Sequence, residues 1–306
     1  MRWEDFRRSD NIEDVRGDGG GFSQGGGGFP IPGGGGGLGI GTIIVLGLIG
    51  WFLGIDPRIL IGGAEVFTGP GQQTQRQAPP AKKGAPSDEQ GTFVAAVVGS
   101  TEDVWSDIFR ANGQTYRAPR LRLFSGATGA GACGMAQSAM GPFYCPPDKR
   151  IFLDTSFFRE MEQKFRACKG KQCEFAQAYV IAHEVGHHVQ NQLGILPRAT
   201  QMQQAAGSKA AANNIQVRVE LQADCLGGVW ANHARRKKDF IDPGDIEGAI
   251  GIASAIGDDR MQRQTTGRVV PDSFTHGSAE QRVRWFKRGL ESGRVADCDT
   301  FRTANL

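Results

Sequence analysis

The stretch AYVIAHEVGHHVQ, residues 178–190, decides how the rest of the chain is read. His183 and His187 stand four apart, with Glu184 directly after the first, in the pattern H-E-x-x-H. On a helix, positions i and i+4 share one face a turn apart, so two imidazoles can converge on one metal ion. Ala178, Val180, Ile181, Ala182, Val185 and Val189 flank them and supply the apolar surface that would bury such a helix. Glu184 lies beside the pair. Zinc brings the ionisation of water close to neutrality, and a neighbouring carboxylate can take that proton and pass it on.

A catalytic zinc takes three protein ligands and keeps one position open. RVELQADC, residues 218–225, offers Glu220 and Asp224, again i and i+4 on a predicted helix. Glu220 is the candidate third ligand. Asp224 is the candidate for orienting an imidazole by accepting its free ring N–H. Without the histidine motif, this pair would read as a solvated acidic face.

The other histidines carry weaker signals. His188 follows His187 directly and points about 100° away around the helix, which suits support or packing better than ligation. His233 precedes Arg235, Arg236, Lys237 and Lys238 and reads as a solvated helix end. His276, in DSFTHGSAEQR (272–282), precedes a helix whose Ser278 and Gln281 form a capping box. It is either a structural histidine or, in a zinc hydrolase, a hydrogen-bond donor to the oxyanion.

Working outward, the chain has 306 residues, a net charge of +3 and 45 glycines, more than half of them before residue 91. The near-balanced charge gives no basis for nucleic-acid binding. The lack of a G-X-Y period excludes collagen, and a mean hydropathy of −0.33 excludes a multi-pass membrane protein. Residues 1–37 read as a flexible tail, charged and then glycine-rich. Residues 38–55 (LGIGTIIVLGLIGWFLGI) carry no charge and read as one transmembrane helix, with Trp51 suited to an interface. A buried core helix and a cleaved signal peptide are the alternatives. Residues 56–90 read as a Pro/Gln/Gly-rich linker, and 91–306 as one domain with a sizeable core.

Within that domain, periodicity predicts helices near 92–111, 156–168, 174–193, 213–236, 244–260 and 278–291. Strands are predicted at 120–124 and 150–154, with an edge strand within 132–145. The fold class is α+β: a mostly helical domain with a small antiparallel sheet over the motif helix, preceded by the single span. All six cysteines follow the apolar run. An even set suggests disulfides and an oxidising compartment, against buried free thiols in a cytosolic domain. Sequence separation favours Cys133 with Cys145 and Cys168 with Cys173, leaving Cys225 with Cys298.

HEVGHH (183–188), RVELQADC, residues 133–158, GDIEGAI (244–250), VPDSFTHGSAEQR (270–282) and the opening MRWEDFRRSDNIEDVRG together resemble the neutral zinc metallopeptidase family of bacteria, over nearly the whole chain. That resemblance implies a zincin-like, gluzincin-type metallopeptidase with a membrane anchor and an extracytoplasmic domain. It also implies Zn2+ held by His183, His187 and Glu220, with Glu184 as catalytic acid and base. THGSAEQR is further similar to a histidine-containing segment of HtpX-like membrane metallopeptidases, where a proline stands at the position of Gly277.

The expectation is a zinc endopeptidase, single-pass in the bacterial inner membrane, with a periplasmic domain acting on protein or peptide. Glu184 and His276 would be catalytic, and the edge strand within 132–145 would pair with an extended peptide. The alternatives are a catalytically silent zinc-binding module that recruits partners at the membrane, and an anchor protein whose His/Glu cluster holds no metal. Oligomeric state has no signature in the sequence.

Overall fold

The computed structural model describes residues 1–16, 82–83, 86–160, 162–163, 168 and 170–306. In chain order the strands are β1 (Ile12–Asp14), β2 (Lys82–Lys83), β3 (Arg120–Phe124), β4 (Ala127–Gly129), β5 (Met135–Gln137), β6 (Phe143–Cys145) and β7 (Arg150–Asp154). The helices are α1 (Glu89–Ala111), α2 (Ser156–Glu160), α3 (Gln172–Gln192), α4 (Ile195–Gln204), α5 (Lys209–Lys237), α6 (Asp245–Ala255), α7 (Asp258–Thr266) and α8 (Ala279–Ser292).

The helical layer is built around α5, which packs against α3, α4 and α8. Close approach sets its geometry. A Cβ on Gly186 of α3 would lie 2.9 Å from the Ala223 carbonyl oxygen of α5, and one on Gly289 of α8 would lie 1.9 Å from that of Cys225. Only glycine lets these backbones touch. As a result, α3 and α5 present their polar positions to each other at short range. Trp105, Phe175, Tyr179, Trp230, Phe240 and Phe286 fill the core between the helices. The caps follow local chemistry: Asp88 accepts from the Gly91 N–H at the start of α1, and Ser278 with Gln281 forms the capping box of α8.

The five-stranded sheet runs β2-β1-β3-β7-β6. β1 with β3 and β3 with β7 are parallel, while β2 and β6 pair antiparallel at the two ends. β4 and β5 form a separate antiparallel pair. The expected small antiparallel sheet is therefore corrected to a mixed one with a parallel centre. The parallel pairing arises because the chain leaves β1 and re-enters as β3 only after α1, a crossover that antiparallel hairpins do not need.

The expected flexible tail is also corrected over its first sixteen residues. Met1, Trp3, Phe6 and Ile12 are buried in the main core, and Met1–Arg16 forms one unit with Lys82–Leu306. The Glu13 side chain of β1 is met by Arg120, Arg122 and Arg150, which is how a strand reading Ile-Glu-Asp sits inside a sheet. The end of the expected linker is also in the fold, since Lys82–Lys83 pairs with β1 and α1 opens at Glu89.

The structure does not support the membrane expectation. No helix among the described residues is long and apolar enough to cross a membrane, and the expected span at residues 38–55 lies outside the described residues. In addition, β1 pairs directly with β3, so residues 12–14 and 121–123 share one sheet. The single-pass fold class and the inner-membrane placement are accordingly set aside.

All three expected disulfides are present: Cys133–Cys145, Cys168–Cys173 and Cys225–Cys298. The helix expected over 244–260 divides into α6 and α7 at Gly257, where the chain turns against the start of α8.

Candidate metal centre

His183, Glu184 and His187 lie on α3, and Glu220 and Asp224 on α5, across the close contact at Gly186. His183, His187 and Glu220 each offer one ligand atom, and these atoms lie within 4.8 Å of one another. Glu220 Oε2 is 3.2 Å from His183 Nε2 and 3.5 Å from His187 Nε2. Its other oxygen, Oε1, accepts from the Gln216 side chain at 2.8 Å, which leaves Oε2 turned to the histidines.

The second nitrogen of each ring is already committed. His183 Nδ1 donates to Asp224 Oδ1 at 2.8 Å. His187 Nδ1 faces Gln190 Oε1 at 2.9 Å, while Gln190 Nε2 donates to the Val219 carbonyl and to Gln222 Oε1. Because the amide nitrogen of Gln190 is occupied as a donor, His187 must carry its proton on Nδ1. Both Nε2 atoms therefore converge with their lone pairs on Glu220 Oε2. Two imidazole nitrogens and one carboxylate oxygen, each oriented from behind, form the donor set that suits zinc with a position left open.

The electrostatics follow from this crowding. Burial disfavours the charged imidazole of His183, but Asp224 and Glu220 outweigh it and push its pKa up to about 10. His187 shifts the same way: burial opposes the charge and Glu220 favours it more strongly. Burial raises Glu220, yet the two histidines hold it well below the usual carboxylate range. A proton and a metal ion compete for the same Nε2 lone pairs, so metal uptake releases protons. Burial raises Glu184, partly offset by His183 and His187. Its carboxylate has no hydrogen-bond partner among the described residues and is free to exchange a proton with a bound molecule.

Asp224 is the hub behind the site and is fully buried. Besides His183, it accepts from the Tyr179 hydroxyl at 2.5 Å and from Arg282 of α8 through two bonds of 2.9 Å each. Burial would raise the Asp224 pKa, but Arg282 and His183 hold it below the usual value. Tyr179, Gln190, Gln216 and Arg282 all went unassigned in the sequence. Each lies within one or two turns of a motif residue or inside a quoted segment, which is the signal that was available for them.

His276 stands at the mouth of the site, its side chain 42% exposed, near enough to Glu220 for each to shift the other. Asp258 at the start of α7 anchors it. One carboxylate oxygen of Asp258 accepts the backbone N–H groups of Thr275, His276 and Gly277, and the other lies 3.2 Å from His276 Nδ1. The Nε2 side of the ring is thereby left to face outward. Burial alone would lower the His276 pKa; Asp258 and Glu220 raise it. His233, expected at a solvated helix end, instead bonds the Gly293 carbonyl at 2.8 Å. His188 does not join the ligand set and is buried on another face of α3.

Comparison with known proteins agrees with this geometry. The family model described as "Putative neutral zinc metallopeptidase" matches residues 1–301. The chain is 46% identical over 301 residues to the uncharacterized protein YpfJ of Escherichia coli K12, covering 98% of this chain and 99% of that one. It is also 46% identical over 222 residues to the uncharacterized protein Rv2575 of Mycobacterium tuberculosis H37Rv, covering 70% of this chain and 71% of that one. No solved structure matches. The match runs through the opening segment as well as the His-His-Glu cluster, and the chain belongs to the neutral zinc metallopeptidase family.

Proposed function

We propose that the protein is a zinc-dependent endopeptidase whose substrate is a protein or peptide in extended form. One observation carries the reading. Two imidazole Nε2 atoms and Glu220 Oε2 converge on one point, while the Glu184 carboxylate beside them is left without a partner. Holding zinc alone needs only the first three groups; the unpaired Glu184 is what a proton-transfer reaction adds.

His183, His187 and Glu220 would hold the ion, which when bound supplies a Lewis acid that polarises the scissile carbonyl and acidifies a water. Glu184 takes the proton from the attacking water and delivers it to the departing amine nitrogen. His276, anchored by Asp258, donates a hydrogen bond from its outward nitrogen to the oxyanion as it forms. Asp224 and Gln190 keep the two imidazoles in the tautomer that directs Nε2 at the ion.

The test is zinc analysis of the full chain together with cleavage of a peptide library. Glu184→Gln should retain one zinc per chain and lower kcat by about 10²–10⁴. Equal turnover by this variant and the parent would exclude the mechanism. Zinc binding by a parent that cleaves nothing would favour a silent zinc module. Full zinc occupancy in Glu220→Ala would remove Glu220 from the ligand set.

A further inference from the structure

The third histidine of HEVGHH, His188, takes no part in holding metal, yet it is almost fully buried. His188 Nε2 lies 2.6 Å from the Arg117 carbonyl oxygen and Nδ1 lies 3.0 Å from the Tyr144 hydroxyl. A carbonyl can only accept, so Nε2 carries the proton and Nδ1 receives the hydrogen bond from Tyr144. The Tyr144 hydroxyl in turn accepts from Asn191 Nδ2 at 2.9 Å, and the same amide group reaches the Pro146 carbonyl at 3.1 Å. Gln192 Nε2 adds a bond of 2.7 Å to the Thr115 carbonyl. The rings of Tyr116 and Tyr144 stand edge-on to His188 at 5.8 and 5.4 Å. One turn of α3, beginning one residue after a metal ligand, is thereby bonded to β6 and to the segment that leads into β3.

β6 is the strand this turn holds, and it stands last in the sheet order. Its inner edge pairs with β7, Phe143 opposite Phe152 and Tyr144 opposite Ile151. Among the described residues no strand pairs with its outer edge. Side chains alternate along it. Tyr144 turns to α3, while Phe143 stacks on Phe152 and Cys145 joins Cys133 on the other face. A strand tied on both faces, with one row of backbone groups left open, is a rigid template for another extended chain.

We infer that His188, Tyr144 and Asn191 are positioning residues, which fix the height and register of β6 against the metal helix and so determine which peptide bond of an extended substrate, paired along the outer edge of β6, reaches the His183–His187–Glu220 centre. The inference rests on the peptidase reading. His187 and His188 are consecutive on one helix, so the metal ligand and the strand anchor cannot move independently. Recognition through backbone groups accepts many sequences, and the substrate class is an unfolded or extended polypeptide segment.

The test uses the full chain with a peptide of about twelve residues, long enough to pair along a strand. Tyr144→Phe removes one hydroxyl and keeps the ring. It should raise KM about tenfold with kcat within about twofold, keep zinc stoichiometry unchanged, and spread cleavage over neighbouring bonds by mass spectrometry. His188→Gln, whose amide can still donate and accept, should stay within about threefold of the parent, whereas His188→Phe should match Tyr144→Phe. In the parent, a peptide hydroxamate should slow amide exchange at Phe143–Cys145. Cleavage by the parent with unchanged KM and unchanged cleavage position in Tyr144→Phe would overturn the inference while leaving the peptidase reading standing. So would loss of zinc in that variant, or no protection of β6 by the hydroxamate. A zinc-loaded parent that cleaves no peptide would overturn the peptidase reading itself, and the inference with it.

Discussion

Arg282 grips Asp224 with two parallel hydrogen bonds, Nε to Oδ2 and Nη2 to Oδ1, each 2.9 Å, and both residues are buried. The pair joins α8 to the helix that carries Glu220 and, through Asp224, to the imidazole of His183. Truncating Arg282 to Leu would leave a carboxylate buried without its counter-charge, a change that costs about 3–5 kcal/mol in other proteins. We expect Arg282→Leu to lose stability on that scale in denaturant unfolding and to bind zinc about 10–100-fold more weakly. Arg282→Lys should fall between, because an ammonium cannot reproduce the planar two-pronged contact. Parental zinc affinity in Arg282→Leu would show that Asp224 orients His183 unaided.

Asp154 controls the loop region beside β6. One oxygen accepts the Gly126 N–H at 2.8 Å and the Ser138 hydroxyl, and the other accepts the Ser156 N–H at 2.8 Å. Burial would raise its pKa, but these donors outweigh burial and hold it below the usual value. A carboxylate depressed in the folded state stabilises above its unfolded pKa and loses that contribution as pH falls through the folded one. The window therefore opens below about pH 4. Amide exchange in residues 125–142 should accelerate there before the helical layer responds. Asp154→Asn should show fast exchange at neutral pH and a flatter acid dependence. An acid response in Asp154→Asn equal to that of the parent would assign the transition to another group.

The metal site was legible because its chemistry is written at helical spacing. His183 and His187 could be placed on one helix face from the chain alone with Glu184 beside them, and Glu220 with Asp224 on one face of a second helix. The capping box at Ser278 and the Cys133–Cys145 and Cys168–Cys173 pairs were legible as short-range patterns, and Cys225 with Cys298 followed only as the pair left over. What stayed hidden depends on distant partners. Ile12–Asp14 reads as a solvated charged stretch until Arg120, Arg122 and Arg150 are brought beside Glu13. Arg282 looks like any arginine of an amphipathic helix, because its partner is fifty-eight positions away on α5. Asp258 looks like an ordinary acidic residue of a first helical turn, and nothing local tells of the three N–H groups it collects from residues 275–277. The apolar run at 38–55 lies outside the described residues, and among those no helix is long and apolar enough to cross a membrane.

Glu102 fastens the opening segment to α1. The Ser9 hydroxyl donates to its Oε1 at 2.6 Å, the Asn11 amide to the same oxygen at 2.7 Å, and Arg7 to Oε2 at 2.5 Å. Ser9 is fully buried, so removing the acceptor strands its hydroxyl. Glu102→Ala should cost about 2–3 kcal/mol. It should also expose residues 1–16 to limited proteolysis before the rest of the chain unfolds, since Arg7, Ser9 and Asn11 all share Glu102 as their acceptor on α1. Simultaneous loss of protection across the whole molecule would mean that the core contacts of Met1, Trp3, Phe6 and Ile12, and not the Glu102 bonds, hold the segment in place.

Asp258 and His276 offer a way to test the proposed catalysis apart from metal binding. The carboxylate holds the 275–277 backbone by three N–H groups and the imidazole by Nδ1, so the ring is aimed from behind and contributes no ligand atom. If the outward nitrogen donates to the oxyanion, His276→Ala should lower kcat by about 10²–10³ with zinc stoichiometry and KM close to parental values. Asp258→Asn can still accept the backbone N–H groups through its amide oxygen, but it presents an NH2 group to Nδ1 in place of a carboxylate oxygen. That reverses the donor and acceptor roles across the contact and favours the tautomer with its proton on the outward nitrogen, now without a neighbouring negative charge to stabilise the imidazolium. Its kcat should therefore lie between those of the parent and His276→Ala, and its pH–rate profile should lose the limb that belongs to the His276 imidazolium. A kcat for His276→Ala equal to that of the parent would reduce the histidine to a structural part of the α7–α8 turn and leave oxyanion stabilisation to the other groups of the site.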